Sequence, residues 1–67
     1  MRSTLLKSLK TGYAGDIARA VANIEVYLTN PAGIGEHSDI VEAIDTELAK
    51  LAEADEKLKT LNEYFAE

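Results

Sequence analysis

Glu36, His37 and Asp39 are the residues of this sequence best suited to chemistry, two carboxylates and the chain's one imidazole within four positions. Histidine titrates nearest neutral pH of the ordinary side chains, so His37 could move a proton or offer a nitrogen to a metal ion, with Glu36 and Asp39 as oxygen ligands. One histidine does not complete an ordinary metal centre, and the chain has no cysteine to help it. The plainer reading is a helix start. Ser38 is a good N-cap, Asp39 suits the positive end of a helix dipole, and Glu36 and His37 precede them in solvent. That reading is preferred, and a metal- or ligand-binding oligomer or enzyme with a site near the 30–39 turn stands as the alternative.

The other chemical candidates are weaker. Gly33-Ile34-Gly35 could present backbone N–H groups to a phosphate, but no strand precedes it, no lysine follows it, and Glu36 and Asp39 put negative charge where the anion would sit. Glu42, Asp45, Glu47, Glu53, Asp55 and Glu56 are numerous, yet no Glu-x-x-His motif turns them into a di-iron carboxylate set. Gly12 and Gly15 lack the strand pattern of RNA-binding loops. The formal net charge is −5, with residues 1–30 at +2 and residues 31–67 at −7, so phosphate backbones are repelled at long range. No catalytic residue, cofactor or metal ligand is assigned, and nucleic acid is not expected as a partner.

What remains is architecture. Residues 30–38 hold the one proline and two of the four glycines, between two long amphipathic stretches. In the first, Leu6, Leu9, Tyr13, Ile17, Val21, Ile24 and Leu28 step by three or four, the helical period, and predict a helix over about 3–29. Ser3 or Thr4 is expected to cap its start, while Asn30 and Pro31 close its end. Gly12 and Gly15 weaken it, each by close to 1 kcal/mol relative to alanine. Gly15, Ala18 and Ala22 fall on one side and would let another helix backbone come close.

The second stretch predicts a helix over about 39–65, rich in Ala, Leu, Glu and Lys. Ile44, Leu51, Leu58 and Phe65 recur every seven residues, with Ile40, Val41, Leu48, Ala54 and Leu61 beside them, which is the signature of a seam packed on another helix at a shallow angle. Glu53 with Lys57 and Glu56 with Lys59 are spaced for ion pairs on the outer face. The fold expected is all-α, an antiparallel two-helix hairpin. Ile17, Val21, Ile24 and Leu28 pack against Ile44, Leu48, Leu51 and Leu58, and Arg2, Lys7 and Lys10 come near Glu63 and Glu67 at the open end.

A chain of 67 residues buries only about 60% of the surface its unfolded form exposes. Without disulfides, extra stability must come from association. A hairpin covers one face of each helix, whereas this one also offers Leu5, Tyr13, Val26 and Tyr27 to a partner. The expected partner is a second copy, two hairpins forming a four-helix bundle, and the rival is a larger protein on the same surface. Function is therefore read as structural or protein-interaction rather than enzymatic. No signal sequence or membrane span is visible, so a cytoplasmic protein is expected.

The run Asn30-Pro31-Ala32-Gly33-Ile34-Gly35-Glu36-His37-Ser38-Asp39-Ile40-Val41-Glu42-Ala43-Ile44-Asp45 resembles a stretch in small uncharacterised proteins of marine tailed phages, including cyanophages, mainly across residues 24–65. The resemblance implies a small protein of the host cytoplasm or the virion, either a virion component or a factor acting on a host protein. It brings no activity and no functional residues with it.

Overall fold

The computed structural model describes residues 1–29 and 39–66, and its regular structure there is two helices, α1 (Arg2–Thr29) and α2 (Ile40–Tyr64). The expected turn at 30–38, with Glu36 and His37, lies outside the described residues. Helix α1 begins one residue earlier than expected: the Leu5 N–H reaches the Met1 carbonyl at 3.1 Å. Ser3 and Thr4 therefore sit inside the helix instead of capping it. Helix α1 continues unbroken through Gly12 and Gly15. Helix α2 closes where the Phe65 N–H donates to the Leu61 carbonyl at 2.9 Å.

The helices are antiparallel. Lys57 Nζ lies 5.9 Å from the centre of the Tyr13 ring, and Asn23 bonds to Glu47, so ten residues forward on α1 match ten residues back on α2. The pair measures 47 × 16 × 15 Å.

On each helix the residues turned toward the other follow a strict alternation of three and four. On α1 they are Leu6, Lys10, Tyr13, Ile17, Ala20, Ile24 and Tyr27, and on α2 they are Ile40, Ile44, Glu47, Leu51, Ala54, Leu58 and Leu61, all buried or half-buried. That 3.5-residue period keeps a seam facing its partner along its length, as in a shallow-angle helix pair. The centre of the seam is small: Ala20 is 2% exposed and Ala54 5%, and among the described residues no large apolar side chain is fully buried.

This corrects the expected packing. Val21, Leu28 and Leu48 were expected between the helices, yet they are 43%, 59% and 51% exposed, and Phe65 is half-exposed too. The apolar residues of α1 invite steps of four, from Tyr13 to Ile17 to Val21, and those steps drift across the helix surface. The period of the packed pair returns the seam to Ala20 and Tyr27, leaving Val21 and Leu28 on its flank. On α2 the same rule puts Glu47 in the seam and Leu48 beside it.

The small-residue stripe lies elsewhere as well. Gly15, Ala18 and Ala22 are exposed, and their spacing places them on the side of α1 away from α2. A Cβ added at Gly12 or Gly15 would meet nothing within 4 Å.

Candidate functional site

Asp39 is the N-cap of α2, its carboxylate accepting the Glu42 N–H at 2.8 Å. Ser38, the expected cap, lies outside the described residues. The cap satisfies a backbone donor that the first helical turn cannot pair internally. Of the low-ranking ligand set, Asp39 is thus engaged by its own helix, and Glu36 and His37 fall outside the described residues. Among the described residues no group of three His, Asp or Glu side chains is placed to hold a metal ion. None of the helices is long and apolar enough to cross a membrane.

The side chains that flank the seam divide the hairpin into two unlike faces. Residues Asp16, Arg19 and Asn23 of α1 share one face with Glu47, Lys50, Glu53 and Lys57 of α2, and together with Tyr13, Ala20 and Ala54 they line a groove of about 280 Å³. Glu47 is its anchor. One carboxylate oxygen accepts from the Asn23 amide and the other from Lys50 Nζ, each at 2.9 Å, and the residue is only 8% exposed. The Asn23 bond first, and the Lys50 bond after it, hold the Glu47 carboxyl below the ordinary glutamate range, against the opposing push of desolvation. Lys57 meets Glu53 at 3.2 Å, as its spacing predicts. Lys59 instead reaches Asp55, one turn back, at 2.9 Å, and Glu56 acts on it only weakly; the Asp55 bond raises the Lys59 pKa.

The opposite face is apolar. A helical wheel carried along the seam puts Ala14, Val21 and Leu28 of α1 and Val41 and Leu48 of α2 about a quarter-turn from it, all toward the side away from the groove. They are exposed, Val41 at 79%, and they extend a band begun by the half-buried Ile17, Ile24, Ile44, Leu51 and Leu58. Charged and polar groups border this face at Glu25 of α1 and Asp45 of α2 and enter it toward the open end, at Lys7 and Lys10 on α1 and at Asp55 and Asn62 on α2.

A second apolar patch lies at the open end of the groove side. There Tyr13, Leu61 and Phe65 border a shallower recess with Lys57 and Thr60, and Leu5, Leu9 and Tyr64 are exposed. Tyr27 is half-buried at the other end of α1. The same open end brings Arg2, Lys7 and Lys10 to the level of Glu63, while Glu67 lies outside the described residues.

Sequence reading did not find Asn23 and Glu47 as a pair, nor Val41 as part of the apolar face. The signal for both was the three-four alternation, which selects Ala20 over Val21 and Glu47 over Leu48 once it is applied to the two helices jointly. Comparisons with protein families, curated proteins and solved structures find no match to this chain.

Proposed function

We propose that the chain is a protein-interaction module that works as a homodimer, two hairpins closing into a four-helix bundle through their apolar faces. The observation that supports this reading is the exposed row Val21, Leu28, Val41 and Leu48 beside half-buried Ile24 and Ile44. Large apolar side chains set contiguously on one face are what a helix-packing surface needs and what solvent disfavours.

Charge placed in that face tests the proposal. Val21→Lys with Leu48→Lys is expected to convert the dimer to a monomer in sedimentation equilibrium while α-helical circular dichroism persists. A double variant with the dimeric mass of the parent chain would overturn it.

A further inference from the structure

We draw no further inference here: the strongest candidate, the apolar recess at the open end of the groove side between Tyr13, Leu61 and Phe65, is bordered by Lys57 as well as by Glu53 and Glu56, so charge favours no occupant and nothing in the structure shows what covers it.

Discussion

Asn23 on α1 donates its side-chain amide to Glu47 on α2 at 2.9 Å, a polar cross-link from the groove edge of the turn between Ala20 and Ile24 to a seam position that an all-apolar pair would fill with a leucine. A single buried polar pair in a helix seam fixes register, because any slip leaves its members without partners. Lys50 completes the group from the groove side. The hairpin is therefore held in one alignment by chemistry as well as by the fit of two alanines.

Acid should loosen that alignment. The Glu47 carboxyl titrates below the ordinary glutamate value in the folded chain, so its contribution to stability is complete above that ordinary value and is lost as pH falls through the lower folded one. Glu47→Gln is expected to flatten the acid limb of the thermal midpoint against pH while leaving the neutral-to-alkaline part parallel to that of the parent chain. Equal acid limbs in the two proteins would mean that the Asn23 and Lys50 bonds do not act on folding.

Asn23→Leu alone is expected to lower the melting midpoint, since it removes one partner of a buried carboxylate. Asn23→Leu combined with Glu47→Leu should restore or raise it, because replacing a buried polar pair by packed apolar groups is often neutral or stabilising. Broader or multiple dipolar distances from a label on the double variant would reveal the lost register.

Gly12 and Gly15 have open space where a Cβ would stand. Alanine at each is expected to add about 1 kcal/mol of stability, through helix propensity and a less free unfolded chain. Each change should raise the midpoint by several degrees in differential scanning calorimetry. A fall at Gly15 would instead mean that another helix approaches it closely in the assembled state.

The Asp39 carboxylate caps α2. Asp39→Ala is expected to remove about 1 kcal/mol, and Asp39→Asn to keep most of it, as judged by urea unfolding. Equal losses from the two variants would separate the cap from the charge.

Leu51 and Leu48 lie three residues apart but on different surfaces, the seam and the outer apolar face. Leu51→Asp is expected to unfold the hairpin by placing an unpaired charge between the helices, with circular dichroism losing its helical minima. Leu48→Lys should keep the helices and lose the dimer. The same outcome for both variants would contradict the division into seam and face.

Much of this fold was legible in the sequence because long helices write their period directly. Both helices were placed to within a residue at each described end, and Lys57 pairs with Glu53 where the i to i+4 rule puts it. The seam was less legible, since hydropathy misleads: Val21, Leu28 and Leu48 are more apolar than Ala20, Tyr27 and Glu47. In a two-helix structure, however, the shared 3.5-residue period decides which side chains meet. An alanine in the seam allows close approach, and a glutamate is tolerated there when an asparagine on the other helix receives it. The Asp39 cap was hidden by Ser38, an equally good capping residue one position earlier. The interaction surface follows from the seam, because an apolar face can be recognised only after the packed one is known.

The measurement that bears most directly on the central claim is solution mass by multi-angle light scattering across a concentration series, made on the unmodified chain. The account predicts a mass of twice 7.3 kDa at micromolar concentration and above, with a melting midpoint that rises with concentration as association requires. A mass of 7.3 kDa at every concentration, with a cooperative and concentration-independent melt, would contradict it.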